Sequence, residues 1–156
     1  MQFVLVETKE AIRKIEKMAK TIWNEAYHDL LSQEQIDYML SKFLTKEAIK
    51  AQINEGYQYF LVKDDKNCGF AAIQVGERVF LSKFYLDKTY YGKGLLRGFV
   101  DILKKHQKPI YLTVNKHNYR AINAYLKLGF IKEKEVVSDI GGGFVMDDYV
   151  MVLYDI

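Results

Sequence analysis

Apolar and polar residues alternate from Gln2 to Val6, which predicts a short strand. From Thr8 the period lengthens. Ala11, Ile12, Ile15, Met18, Ala19, Ile22, Trp23 and Ala26 recur every three or four positions, which predicts a long amphipathic helix with Thr8 as its N-cap. Ser32-Gln33-Glu34-Gln35 reads as a capping box opening a second helix, with Ile36, Met39 and Leu40 on its apolar face. A third short helix is expected over Lys46–Asn54, stopping near Gly56. The period then drops to two. Residues 57–63 and 69–75 read as strands joined by the turn Asp64-Asp65-Lys66-Asn67, a hairpin. After Gly76-Glu77 comes a third strand, Val79–Leu86, apolar on both faces as a central buried strand is. Residues 92–105 read as a helix, with Leu95, Leu96, Phe99, Ile102 and Leu103 on one side. Residues 110–114 form a short strand, and residues 118–128 a helix stopped by Gly129. Residues 130–137 and 144–154 are the last strands, joined through Gly141-Gly142-Gly143. Antiparallel strands followed by strand–helix–strand units predict a mixed α/β sheet with helices on both faces.

Composition narrows the classes. A chain of 156 residues without a Ser/Gly/Pro-rich linker, repeat or low-complexity tract is expected to be one domain, residues 1–156. With 23 basic and 20 acidic residues the net charge is +3, too balanced to indicate a nucleic-acid partner. Lys104, Lys105, His106 and Lys108 cluster at a helix end, where cations complement the helix dipole; a nucleic-acid adaptor using them is the competing reading. The single cysteine, Cys68, rules out an internal disulfide framework and a Cys-rich zinc site. His28, His106 and His117 lack any HExxH spacing, so no metal is expected. No apolar run reaches the roughly 18 residues a membrane span needs. MQFVLVETKE has none of the parts of a signal peptide, and a free thiol without an export signal points to the cytoplasm.

Candidate chemistry lies in two segments. In the first, a buried strand runs through Phe84, Tyr85 and Leu86 into Tyr90-Tyr91-Gly92-Lys93-Gly94-Leu95-Leu96. A Gly-x-Gly turn opening a helix aims backbone N–H groups and the positive helix end at one point, an anion site suited to phosphate. A plain tight turn uses the same glycines. The P-loop pattern is absent, and Arg97 stands where a dinucleotide fingerprint needs its third small residue. In the second segment, Asn118 and Tyr125 lie nearly two helical turns apart and so share a face, with Ala121 as a small spacer between them. A ligand can lie along that face, within reach of a tyrosine hydroxyl that can donate a proton.

Together these residues resemble the acetyl-CoA-binding signatures of the GNAT superfamily of N-acetyltransferases, and in particular its bacterial members acting on small amines. Asn118, Ala121, Tyr125, Gly129 and Phe130 match N-x-x-A-x-x-x-Y-x-x-x-G-F in full. Leu86, Tyr90, Gly92 and Gly94 match V-x-P-x-Y/F-Q/R-G-x-G-x-G/A in part, with Lys88, Tyr91 and Leu96 as departures. The resemblance covers essentially the whole chain. It implies a single-domain, mostly antiparallel twisted sheet of about seven strands with helices on both faces.

The resemblance also implies a reaction, in which a primary amine attacks the thioester of acetyl-CoA directly and no metal takes part. Backbone groups of Phe84, Tyr85 and Leu86 would pair with the pantetheine arm. The N–H groups of Tyr91, Gly92, Lys93, Gly94, Leu95 and Leu96 would hold the pyrophosphate. Asn118 would hydrogen-bond the arm, or cap its helix, or both. Tyr125 would protonate the departing thiolate; its alternative is a packing role among 12 tyrosines. An alkylammonium must also lose a proton before it attacks. Many relatives carry a glutamate for this on the strand before the glycine turn, but Val79-Phe80-Leu81-Ser82 holds no carboxylate. Trp23, Glu25, Tyr27 and His28, at the end of the first helix, are acceptor-site candidates. Asp148 joins them: adjacent strand residues face opposite sides, so either Asp147 or Asp148 points toward the cleft, unless both lie at an exposed strand end. The acceptor is expected to be a small-molecule or peptide amine, with no nucleic acid or membrane partner and with a homodimer left open. A degenerate acetyl-CoA sensor is the competing function.

Overall fold

The computed structural model describes all 156 residues. A short strand, β1 (Gln2–Leu5), is followed by three helices: α1 (Lys9–Tyr27), α2 (Gln33–Phe43) and α3 (Lys46–Asn54). Each helix opens on a hydroxyl that accepts the orphan N–H three residues on. Thr8 caps Ala11, Ser32 caps Gln35 and Thr45 caps Ala48, each at 3.1 Å. Then come β2 (Gln58–Lys63), β3 (Asn67–Val75), β4 (Val79–Leu86), α4 (Leu95–Leu103), β5 (Ile110–Asn115), α5 (Tyr119–Lys127), β6 (Ile131–Gly141) and β7 (Phe144–Leu153).

The strands form one seven-stranded sheet in the order β1-β2-β3-β4-β5-β7-β6. Every pairing is antiparallel except β4 with β5. Alternation along β3 shows how the sheet divides its core. Ala71 and Ile73 face the cluster containing Leu95, Phe99 and Ile122 of α4 and α5. Phe70 and Ala72 face the cluster containing Ile15, Ile36 and Ile49 of α1, α2 and α3. Helices therefore cover both faces.

Two features of this sheet position the site. The parallel pair β4–β5 is joined only at Val79↔Ile110 and Phe80↔Tyr111, although β4 runs on to Leu86 and β5 to Asn115. Beyond Phe80 the strands splay. In addition, the β3–β4 register slips so that Ile73 faces Leu81 while Ala72 faces Lys83. The extra residue, Ser82, is a bulge, and a bulge resets which face the following side chains occupy.

Element ends differ from the periodic reading at several places, three of which have a clear physical cause. Helix α4 begins at Leu95 rather than residue 92, because Gly92 (φ 76°) and Gly94 (φ 80°) are left-handed and form the turn before it. Its predicted end, Lys104 and Lys105, falls instead in a tighter 3-10 turn over Lys104–His106. Strand β6 runs on to Gly141, through Ser138 and Asp139, because pairing with β7 outweighs their poor strand propensity.

Candidate active site

The splay leaves the β5-facing backbone edge of Phe84, Tyr85 and Leu86 unpaired, while the opposite edge is satisfied by β3. Unpaired strand amides recruit an extended partner that carries amides of its own. A cleft follows this edge. Phe84, Tyr85 and Leu86 form one wall, Ala121, Ala124 and Tyr125 of α5 the other, and Tyr91, Gly92 and Leu96 one end. Alanines at two consecutive turn positions of α5 keep the cleft open.

At that end, the N–H of Tyr91 donates to Lys88 O at 3.2 Å and is thereby used within the turn. The next backbone bond belongs to Gly98, whose N–H reaches Gly94 O at 3.0 Å. The N–H groups from Gly92 through Leu96 are left pointing out of the helix start with no backbone acceptor. Leu95 turns into the core, and Leu96 packs against the core while lining the cleft. Lys93 is exposed, its Nζ 4.9 Å from the centre of the Tyr90 ring. Across the cleft mouth the Arg120 guanidinium stacks on Tyr91, 3.9 Å from the ring centre.

Deeper in, Asn118 caps α5 by accepting from Ala121 N at 3.3 Å through Oδ1. Its Nδ2 has no protein partner and the residue lines the space adjoining the cleft, so capping leaves a side-chain donor free. Here Tyr27, Tyr85 and Tyr125 converge. Tyr27 and Tyr85 share a hydroxyl–hydroxyl bond of 2.9 Å. The Tyr125 hydroxyl makes no hydrogen bond within the protein, and the residue is 9% exposed. Burial raises all three phenols, Tyr27 to about 12 and Tyr85 and Tyr125 well above the ordinary value, so each keeps its proton through neutral pH.

A second cavity, of about 310 Å³, opens from this point between α1, α2 and the splayed strands. Trp23, Tyr27 and Tyr85 form an aromatic corner, with Trp23 centred 4.8 Å from Tyr27 and 5.4 Å from Tyr85. The far wall is the β6–β7 hairpin, tied down by α2. Tyr38 OH and Lys42 Nζ both donate to Ile140 O, at 2.8 and 2.7 Å, and Gln35 Nε2 donates to Val145 O at 3.0 Å.

Asp147 and Asp148 face opposite ways. Asp147 pairs with Lys116 at 2.8 Å on the outside. Asp148 lines the cavity, 8% exposed, with its Oδ1 buried and unpartnered. Burial, helped by Asp147 next door, raises its carboxyl to about 6, while Lys116 opposes the shift. The indole Nε1 of Trp23 is a second buried polar atom without a partner. Glu25 and His28 stay exposed near the end of α1 and line neither space; His28 sits 3.6 Å from Asp29.

Two residues of the site were not singled out from the sequence. Arg120 carried no signal beyond its place two residues after Asn118. Lys83 carried one: a lone charge inside the apolar run Val-Phe-Leu-Ser-Lys-Phe-Tyr-Leu, where a cation needs a reason.

Comparison with known proteins bears on this geometry. The acetyltransferase (GNAT) domain family matches residues 16–146. A probable spermine N(1)-acetyltransferase of Bacillus subtilis subsp. natto is 37% identical over 75 residues, which is 44% of this chain and 48% of that protein. A spermine/spermidine N(1)-acetyltransferase of Bacillus subtilis is 36% identical over a stretch of the same length. The match thus spans about half the length of these curated relatives. Among solved structures, the PaiA N-acetyltransferase of Thermoplasma acidophilum in complex with coenzyme A superposes with a TM-score of 0.70 at 21% identity, covering 97% of this chain and 98% of that one.

Proposed function

The chain belongs to the GNAT acetyltransferase family, and on that premise we propose that it moves the acetyl group of acetyl-CoA onto a primary amine held at Asp148. The observation that carries the reading is a space lined by Tyr27, Tyr85 and Tyr125 that adjoins two others: an amide-edged cleft, sharing Tyr125 and ending on free helix-start N–H groups, and a cavity, sharing Tyr27 and Tyr85 and holding a buried carboxylate oxygen with no partner.

The residues present fit the co-substrate. Its pantetheine amides suit the free edge of Phe84, Tyr85 and Leu86 and the Asn118 Nδ2 donor. Its pyrophosphate suits the N–H groups from Gly92 through Leu96, and Arg120 stands at the mouth to add charge. Acetyl-CoA supplies an activated acyl group with a thiol as its leaving group.

Asp148 attracts the acceptor ammonium and accepts its proton. A carboxyl raised to about 6 is still ionised at neutral pH, yet is a stronger base than an ordinary aspartate. The aromatic corner of Trp23, Tyr27 and Tyr85 excludes water, so the freed amine meets the acyl carbon rather than solvent. Tyr125 donates its hydroxyl proton into a hydrogen bond with sulfur as negative charge develops there. A phenol held far above its usual pKa stabilises that charge without staying deprotonated; the nitrogen sheds a second proton as the amide forms, which makes the thiolate a thiol, while the first proton leaves from Asp148 to solvent.

The test is thiol release from acetyl-CoA across a panel of amines, alongside thermal melting with acetyl-CoA. The expected outcome is amine-dependent thiol release and a higher Tm, about 2.7 kcal/mol of stabilisation at 100 times Kd. A Tm shift without turnover on any amine would favour the sensor reading; no shift would remove the cofactor assignment.

A further inference from the structure

The acceptor cavity holds two opposite charges that do not meet. Asp148 is its only lining carboxylate and Lys83 its only lining cation. The ion pairs of the protein include neither residue. The bulge at Ser82 turns Lys83 onto this face of the sheet. There its Nζ makes only two long hydrogen bonds, 3.4 Å to Gln52 Oε1 and 3.3 Å to Ser82 Oγ, and stands 5.6 Å from the centre of the Tyr59 ring. Burial lowers its ammonium to about 8, which leaves it protonated at neutral pH. A sequestered cation and a sequestered carboxylate each cost free energy until a counter-charge arrives.

We propose that the acceptor is a small amino carboxylic acid, its amine held at Asp148 and its carboxylate read by Lys83. The proposal rests on the acetyl-transfer reading above and narrows its substrate class. A zwitterion neutralises both walls at once. A polyamine matches Asp148 but brings its next ammonium toward Lys83, where repulsion is strong because the surroundings are apolar: Trp23, Met39, Phe43 and Tyr85. The spermine and spermidine relatives act on acceptors without a carboxylate, so this cavity points away from their substrates. The volume, about 310 Å³, suits a molecule of amino-acid size.

The experiment compares kcat/KM for ω-amino acids, their carboxamides, the diamines of equal chain length, and spermidine. It uses the wild type, Lys83→Met and Lys83→Arg. The wild type should favour each amino acid over its carboxamide by about tenfold or more. Lys83→Met should bring that ratio close to one, and Lys83→Arg should keep most of it. Each variant's Tm rise with acetyl-CoA checks that it is folded. Wild-type preference for diamines or spermidine, or a ratio unchanged in Lys83→Met, would overturn the assignment. Should no amine release thiol, the transfer reading fails by itself. Calorimetry of amino acid against carboxamide on the coenzyme A complex then decides the proposal: a carboxylate preference that Lys83→Met abolishes sustains it, and equal binding refutes it.

Discussion

Tyr125 and Asp148 are buried polar residues whose unpaired atoms make opposite demands on stability and function. The Tyr125 hydroxyl bonds to nothing within the protein, so removing it breaks no native hydrogen bond. Tyr125→Phe should leave Tm and acetyl-CoA binding near wild type while lowering kcat by about 10²-fold or more, the usual worth of a hydrogen-bond donor aimed at developing charge. A kcat ratio near one between fully folded proteins would return Tyr125 to a packing role. Asp148 is the harder case, because its folded value, about 6, lies above that of an unfolded aspartate. Between the two values the folded protein binds the extra proton and the unfolded chain does not. Stability is therefore greatest at low pH within this window and falls as pH rises through about 6. Asp148→Asn should remove that pH dependence and raise stability at pH 8 by on the order of 2 kcal/mol. It should also abolish the rise of kcat/KM through pH 6 along with most of the activity. Chemical denaturation at pH 4 and pH 8 measures the first effect and thiol release the second.

At the level of elements, the site depends on how a turn and a hairpin are held. Gly94 starts α4 with φ 80°, a conformation that side chains resist, yet a Cβ there meets no atom within 4 Å. Gly94→Ala should therefore cost about 1–3 kcal/mol in backbone strain but still allow acetyl-CoA to raise Tm. Gly94→Asp adds negative charge where the pyrophosphate is expected and should erase the rise; melting both variants with and without acetyl-CoA separates strain from charge. On the acceptor side, the β6–β7 hairpin is anchored through Tyr38, whose hydroxyl donates to Ile140 O and accepts from Lys42 Nζ at 3.1 Å. Tyr38→Phe loses both bonds, worth about 1 kcal/mol each. It should raise KM for the amine several-fold and leave KM for acetyl-CoA unchanged, because α2 and the hairpin enclose only the acceptor cavity. Steady-state kinetics with each substrate varied in turn checks the split.

Across the whole molecule, local and distant information divide cleanly. Helix caps at Thr8, Ser32 and Thr45, the 3.6-residue stripes of α1 and α5, and the period-two runs of β2 and β3 were legible because each reports on a few neighbouring residues. The same holds for Gly92 and Gly94, which shape one turn, and for Asn118 and Tyr125, which spacing alone places on one face of α5. The second cavity was legible only in part: the family resemblance offered Trp23, Tyr27 and Asp148, which line it, but also Glu25 and His28, which do not, and it missed Lys83. The cavity's carboxylate comes from β7, its cation from β4, its aromatic corner from α1 and β4, and its far wall from a hairpin pinned by α2. No periodicity links these segments, since what joins them is sheet order and register. Alternation along β7 required Asp147 and Asp148 to face opposite sides, but only the pairing of β7 between β5 and β6 put Asp148 inside. Likewise Lys83 stood out as a charge in an apolar strand, but its direction depends on the Ser82 bulge, a slip against β3 that the β4 residues alone do not encode. Composition and period therefore specified the elements and the Gly-x-Gly turn, because those are short-range properties of the chain. The splay of β4 from β5, and the meeting of Asp148 and Lys83 in the lining of one cavity, arose from long-range packing, because only the folded sheet brings those strands together.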